Sequence, residues 1–324
     1  MAAPTLLMSP IALVAVDTGL EIVPCDLCGA APDRMTPITT VHDQIYGQPG
    51  DFSLTRCTGC GLLSLNPRPD PAHIGAYYPD LDYHAFRAPG TFKRLITSRL
   101  RQSEARTLLA GLPVHPRVLE IGCGTGDLLA ALKTKGAQVV GVEPNAAAAH
   151  TATDRHAITV HIGILDDIPA SVLPDGTFDL IVMKYALEHV HNPRAVLTRI
   201  AGLLKPGGKA VLWLPNAASW EFRLFGARWR GLDAPRHLYI FTPKTVDRYA
   251  EAAGLTLSQV AYSGVPNDWA GSIGFMLNEA GRSKALAEQF TAQKLPTLAL
   301  LWPISATAAL FHAAGRITVT LIKS

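Results

Sequence analysis

The chain has 324 residues, 48% of them hydrophobic, with 29 basic and 26 acidic residues for a formal charge of +3. That length and apolar share suffice for one large core or two modest ones and argue against a disordered chain. Near-balanced charge without a run of lysine or arginine argues against a polyanion-binding surface, so no nucleic-acid partner is expected.

Residues 1–16 are apolar but lack a basic start, and they run to Asp17 and Glu21 without a small-residue cleavage site. A secretory signal is therefore not expected, and the expected location is the cytoplasm. Next come Cys25-x-x-Cys28 and Cys57-x-x-Cys60, each pair followed by a glycine, Gly29 or Gly61. Four thiolates complete a tetrahedron around Zn²⁺ and leave no position for water, so Cys25, Cys28, Cys57 and Cys60 are expected to hold a structural zinc. A reducing compartment disfavours the alternative of two disulfides. This gives an N-terminal zinc-ribbon domain over 1–70, followed by a helical linker and cofactor lid over 71–110 that contains the aromatic run Tyr77-Tyr78-Pro79.

From residue 111 to 324, apolar runs of strand length alternate with helical stretches, the pattern of a parallel sheet with crossover helices. Strands are predicted at 117–121, 138–142, 159–162, 178–183, 209–214 and 255–262, with a seventh at 316–322 pairing antiparallel with the sixth at the end of the sheet. Helices are predicted at 127–135, 145–156 and 193–204, the last stopped by Lys205-Pro206-Gly207-Gly208. Thr242-Pro243 opens another, to residue 253, with threonine as N-cap. An insertion at 263–315 leaves the carboxyl end of the sixth strand. Within it, 295–315 carries no Asp, Glu, Lys or Arg. Pro296 and Pro303 argue against a membrane span, which favours a hydrophobic cap whose outer face suits peripheral membrane contact.

Between the first strand and its helix stands Glu120-Ile121-Gly122-Cys123-Gly124-Thr125-Gly126. Glycines at alternate positions let backbone come within contact of a ligand, where a Cβ would clash, and free φ for a tight turn into a helix N-terminus. The spacing is not the G-x-G-x-x-G of dinucleotide sites. E-x-G-x-G-x-G resembles motif I of the class I methyltransferases that use S-adenosylmethionine (SAM), and seven strands with an antiparallel last one resemble their Rossmann-like sheet. The resemblance implies that Glu120, Gly122, Gly124 and Gly126 cradle the methionine end of SAM; Cys123, inside the loop, reads as a small side chain packed under the cofactor rather than a nucleophile. It implies that Glu143, ending the second strand in Gly141-Val142-Glu143-Pro144, takes the ribose hydroxyls, and that Leu165 and Asp166 meet the adenine. Many relatives carry an acid where this chain has Ile164.

Lys184-Tyr185-Ala186-Leu187-Glu188-His189-Val190-His191-Asn192-Pro193 resembles the "LEHV-x-x-P" run of the ubiquinone-type methyltransferases. That places Lys184, Tyr185 and His189 beside the cofactor, with His189 facing the transferred methyl. A glutamate that helps bind a divalent metal in that subgroup is Tyr185 here, so no catalytic metal is expected. Residues 215–241 hold Trp220, Arg223, Arg228, Trp229, Arg230, Arg236 and His237 on the carboxyl edge, where doubly wound sheets bind ligands. Arginines beside aromatics there suit a planar or sugar acceptor with a carboxylate or phosphate.

The whole layout resembles the zinc-containing sugar and small-molecule methyltransferases. In the sugar C-methyltransferases a Glu-His pair supplies the base. Here the aligned pair is Arg236-His237, which makes His237 the base candidate and puts C-methylation in doubt. The candidate catalytic residues are His237, His189 and Tyr77. The expected activity is SAM-dependent methylation of an oxygen on a small-molecule, sugar or lipid-linked acceptor. The alternatives are a C-methyltransferase for a nucleotide-linked deoxysugar and a non-catalytic binding subunit.

Overall fold

The computed structural model describes residues 19–78 and 91–324. The apolar segment 1–16, Pro79 and residues 80–90 of the expected lid lie outside them. The chain opens with β1 (Leu20–Glu21), β2 (Met35–His42), β3 (Asp51–Cys57), β4 (Leu63–Leu65) and β5 (Arg68–Pro69), followed by α1 (Thr91–Leu109). Then come β6 (Arg117–Ile121), α2 (Asp127–Thr134), β7 (Gln138–Glu143), α3 (Ala146–His156), β8 (Thr159–Ile162), β9 (Phe178–Lys184), α4 (Pro193–Leu203) and β10 (Leu204–Pro215). The last part holds α5 (Trp220–Phe225), β11 (Tyr239–Ile240), α6 (Pro243–Ala252), β12 (Leu255–Tyr262), α7 (Asn267–Glu279), α8 (Lys284–Thr291), α9 (Leu295–Leu310) and β13 (Arg316–Lys323).

The seven-stranded sheet runs β12-β13-β10-β9-β6-β7-β8. Its five strands from β8 to β10 are parallel, and β13 is antiparallel to both neighbours, β10 and β12. All seven expected strands are present, with one correction. The last strand does not close the sheet's end; it is inserted between the fifth and sixth, and β12 is the edge. Burial explains the order. Ile317, Val319 and Leu321 of β13 have no exposure, whereas β12 is largely open to solvent. A second difference is that Lys205-Pro206-Gly207-Gly208 does not separate helix from strand. It is an irregularity inside β10, whose register with β9 shifts between Leu204 and Lys209.

The central strand β9 is buried on both faces, as parallel strands covered by helices must be. Leu180 and Val182 face Leu129 and Leu132 of α2 and Leu108 of α1, while Ile181 and Met183 belong to the core shared with Leu197 and Ile200 of α4. The small sheet, ordered β11-β4-β3-β2, is not an independent unit, because β11 reaches it from the far part of the chain and pairs antiparallel with β4. Cys25, Leu27, Cys57 and Leu62 share one buried cluster with Leu238, Tyr239 and Phe241. Arg68 adds a polar tie, donating to Tyr239 Oη at 2.6 Å and to the His191 carbonyl at 3.0 Å.

The insertion forms α7, α8 and α9. α9 buries only Ser305 and Ala308 and exposes Leu295, Leu300, Trp302 and Leu310, with Phe311 exposed just beyond its end. Among the described residues no helix is long and apolar enough to cross a membrane.

Candidate active site

Strand β6 ends in a loop whose backbone favours glycine. Gly122, Gly124 and Gly126 have φ of +74°, +53° and +76°, a region that costs L-residues strain. A Cβ on Gly122 would stand 2.9 Å from Ala186 Cβ, and one on Gly126 would stand 2.7 Å from Ala152 Cβ. The loop is pinned from below. Gly122 N–H donates to the Val142 carbonyl at 2.8 Å, and Gly124 N–H donates to Glu143 Oε2 at 2.7 Å. Glu143 Oε1 accepts from Asn145 N–H at 2.9 Å, and Asn145 in turn caps α3 through Ala148 N–H.

Above this loop, at the carboxyl ends of β6, β9 and β10, is a cavity of about 460 Å³. Its two ends differ in chemistry. At the loop end, Glu120, Gly122, Cys123, Gly124, Lys184 and Tyr185 line the wall together with Arg101 of α1. Arg101 pairs with Glu104 at 2.8 Å, and Lys184 also pairs with Glu104 and lies 5.0 Å over the Trp213 ring. Glu120 is buried, and its Oε2 has no partner among the described residues; burial pushes its carboxyl up to about 8. Tyr185 takes φ of +53°, an uncommon conformation for a tyrosine, under the Arg316 guanidinium at 5.1 Å.

The other end is built on Glu188, His189 and His237, whose ligand atoms lie within 4.8 Å of one another. His237 Nδ1 is 2.9 Å from the Gly231 carbonyl. A carbonyl only accepts, so Nδ1 carries the proton and Nε2 presents its lone pair. Nε2 lies 3.9 Å from Glu188 Oε1 and 3.8 Å from Asp233 Oδ2, beyond hydrogen-bond reach. Burial lowers the His237 pKa, with Asp233 opposing it, so the ring is neutral at pH 7. His189 packs edge-on against it at 4.6 Å; burial holds His189 down to about 3, and its Nδ1 meets the Arg236 carbonyl and Tyr78 Oη.

Glu188 is fully buried with neither oxygen partnered among the described residues, and burial pushes it up to about 8. A carboxyl whose folded pKa exceeds its unfolded value destabilises the fold as pH rises between the two. Thermal melts should therefore show Glu188→Gln losing less stability than wild type between about pH 5 and 8.

The expected site residues divide accordingly. Pro144, Leu165 and Asp166 sit at the neighbouring ends of β7 and β8, outside the cavity. Tyr77 does not reach it either, since it packs edge-on against Phe52 at 5.6 Å, and its neighbour Tyr78 contacts His189 instead. Of the expected acceptor contacts, Arg236 is fully buried, doubly bonded to Asp43 and to Asp233. Trp229 is core, Arg228 pairs with Glu279, and Trp220 stacks on Phe311. Only Arg230 and His237 of that set line the cavity. Asn267, Asp268 and Gln293 of the insertion and Arg316 of β13 also line it, and sequence reasoning missed them. The only local hint was Asn267-Asp268 standing just beyond the sixth strand.

The four cysteines converge at the base of the small sheet. Cys25 Sγ is 3.4 Å from Cys60 Sγ, and Cys28 Sγ is 3.6 Å from Cys57 Sγ, with all four within 4.8 Å. The sulfurs are unbonded, and a tetrahedral ion with Zn–S near 2.3 Å would separate them by about 3.8 Å. Both knuckles repeat one turn, in which Gly29 N–H donates to the Cys25 carbonyl and Gly61 N–H to the Cys57 carbonyl, each at 2.8 Å.

Residues 92–260 match the family model for a methyltransferase domain. The ubiquinone biosynthesis O-methyltransferase of Nitrobacter winogradskyi is 31% identical over 182 residues, covering 52% of this chain and 67% of the relative. That of Aeromonas salmonicida is 31% identical over 166 residues, covering 47% and 69%. A solved structure provisionally assigned as a sarcosine dimethylglycine methyltransferase, from Galdieria sulphuraria, shares the fold at a TM-score of 0.50. It has 15% identity and covers 75% of this chain and 94% of that one. The glycine loop, the seven-stranded sheet and these matches lead to one conclusion: the chain belongs to the methyltransferase-domain family and is a SAM-dependent methyltransferase.

Proposed function

We propose that the enzyme transfers a methyl group to a hydroxyl oxygen of a small-molecule acceptor, with His237 as general base. The observation that carries this is the His237 tautomer, whose basic Nε2 faces a cavity lined by the glycine loop. The relatives named as O-methyltransferases support oxygen as the target.

SAM, when bound, supplies a methyl group already activated by its sulfonium charge. The chain's residues then need to bind, orient and exclude water. The cofactor fits this wall because backbone of Gly122 and Gly124, without side chains, lines the cavity, and the buried, unpartnered Glu120 Oε2 can accept from an ammonium. Glu143, held by two backbone N–H groups, keeps lone pairs free for ribose hydroxyls. Pro144, Leu165 and Asp166 would flank the adenine, with Lys184, Tyr185 and His189 along the path to the acceptor. His237 Nε2 takes the hydroxyl proton as the methyl arrives. We read Cys25, Cys28, Cys57 and Cys60 as a structural zinc site, 1–70 as the ribbon that buttresses the His237 segment, 71–110 as the linker and lid, and 263–315 as the cap of the 111–324 domain.

A second reading rests on Glu188. With both its oxygens unpartnered, it can join His189 and His237 around a divalent ion, and His237 would then be a ligand. Transfer of labelled methyl from SAM to a panel of catechols and hydroxylated anions tests the main reading. Label in a methyl ether, unaffected by added divalent ions, supports it. Solvent deuterium washing into a ketosugar carbon would instead indicate C-methylation. SAM binding without turnover on any acceptor would favour the non-catalytic subunit.

A further inference from the structure

Four lysine or arginine side chains line the cavity, and three have an acid partner: Arg101 and Lys184 share Glu104, and Arg316 grips Asp268 through two bonds of 2.7 Å. The fourth, Arg230, has no side-chain hydrogen bond or ion pair among the described residues. The Arg230 charge helps lower the Asp268 pKa, but both Asp268 carboxylate oxygens bond Arg316 and neither bonds Arg230.

The position of Arg230 is nevertheless tightly set. On one side, Trp229 is buried at 1% exposure and its ring lies against Gly231, where a Cβ would be 2.3 Å away. Arg230 N–H donates to Ser272 Oγ at 2.9 Å, and that fully buried hydroxyl donates to the Asp268 carbonyl at 2.6 Å. Below, Gly271 of α7 makes room, since a Cβ there would stand 2.2 Å from Arg230 Cδ. A half-buried guanidinium held in place without a hydrogen bond or ion pair of its own among the described residues is an arrangement that a ligand anion completes, because the planar fork meets a carboxylate or phosphate with two parallel bonds. His237 Nδ1 bonds the carbonyl of Gly231, the residue next to Arg230, so the base hangs from the segment that carries the anchor.

We propose that Arg230 binds an anionic group, carboxylate or phosphate, on the acceptor, so that the substrate is a small hydroxylated anion. This rests on the methyl-transfer reading above. The test is equilibrium dialysis of the full chain with saturating S-adenosylhomocysteine, which fills the cofactor's own carboxylate site. Labelled benzoate is used in one arm and inorganic phosphate in the other.

One of the anions should bind at one per chain. Arg230→Gln and Gly271→Ala, which displaces the side chain without removing it, should each weaken that binding at least tenfold, and Arg223→Gln on the exposed surface should not. Binding of benzoate alone identifies a carboxylate acceptor, binding of phosphate alone a phosphorylated one. Failure of both anions to bind, or equal binding in Arg230→Gln, overturns the proposal. If S-adenosylhomocysteine binds while neither anion does, the methyl-transfer reading survives without it. If S-adenosylhomocysteine does not bind but the anion still depends on Arg230, the reverse holds.

Discussion

His237→Gln is expected to lower turnover by roughly two to four orders of magnitude, the usual contribution of a positioned general base, while SAM affinity stays close to wild type. The separation is structural. His237 hangs from the Gly231 carbonyl at the acceptor end, whereas the glycine loop and Glu143 hold one another through backbone N–H groups. Glutamine can still donate to Gly231, so the turn persists while the basic nitrogen is lost.

The pH dependence follows from the same site. The His237 pKa is lowered, so the base is deprotonated through neutral pH, and activity should fall only below the ordinary imidazole range near 6.5. The acidic limb of the kcat/KM profile should vanish in the variant. If His237→Gln keeps full turnover, His237 is a structural histidine.

On the zinc reading proposed above, metal removal should have the other large effect. Cys57→Ser, or chelation under reducing conditions, is expected to melt the ribbon and abolish turnover while leaving SAM binding less affected. Structural zinc contributes roughly 10–16 kcal/mol in small peptides, and a loss of even about 5 kcal/mol lowers the Tm of a domain of this size by roughly 10–20 °C.

The consequence reaches the base because β4 begins just after Cys60 and pairs with β11. Leu65 N–H donates to the Leu238 carbonyl at 3.0 Å, and Leu238 N–H donates to the Glu188 carbonyl at 2.8 Å. His237 and Glu188 are thus strung on the edge of the small sheet. The glycine loop belongs to a different packing layer, in which Cys123 and Leu128 contact α1 and β9, so it should survive. Protein with less than about half an equivalent of zinc that remains fully folded and active would refute the metal reading.

The parts legible in the sequence are those that local chemistry dictates. Three glycines at alternate positions force a loop, the Thr242-Pro243 pair starts a helix, and two C-x-x-C-G units fold into matching knuckles. Strand partners are not local, so nothing in residues 316–322 said that β13 would enter between β10 and β12, or that Tyr239 and Ile240 would complete the small sheet.

The arginines of 215–241 show the same limit. Composition grouped Arg228, Arg230 and Arg236 as acceptor contacts, yet Arg236 is consumed by Asp43, which follows β2 and which only tertiary folding brings to it. Apolar composition likewise described the exposed face of α9 and hid the polar side of the insertion that lines the cavity, where Asn267 donates to Gln293 at 2.7 Å.

The central claim, that the loop over Glu143 is a working cofactor site, is tested most directly by titration calorimetry of SAM into wild type and Glu143→Ala, with thermal melts to verify folding. Micromolar binding to wild type, weakened at least about tenfold, or 1.4 kcal/mol, in the variant, is the predicted result. No binding to wild type, or equal binding to both proteins, would contradict it.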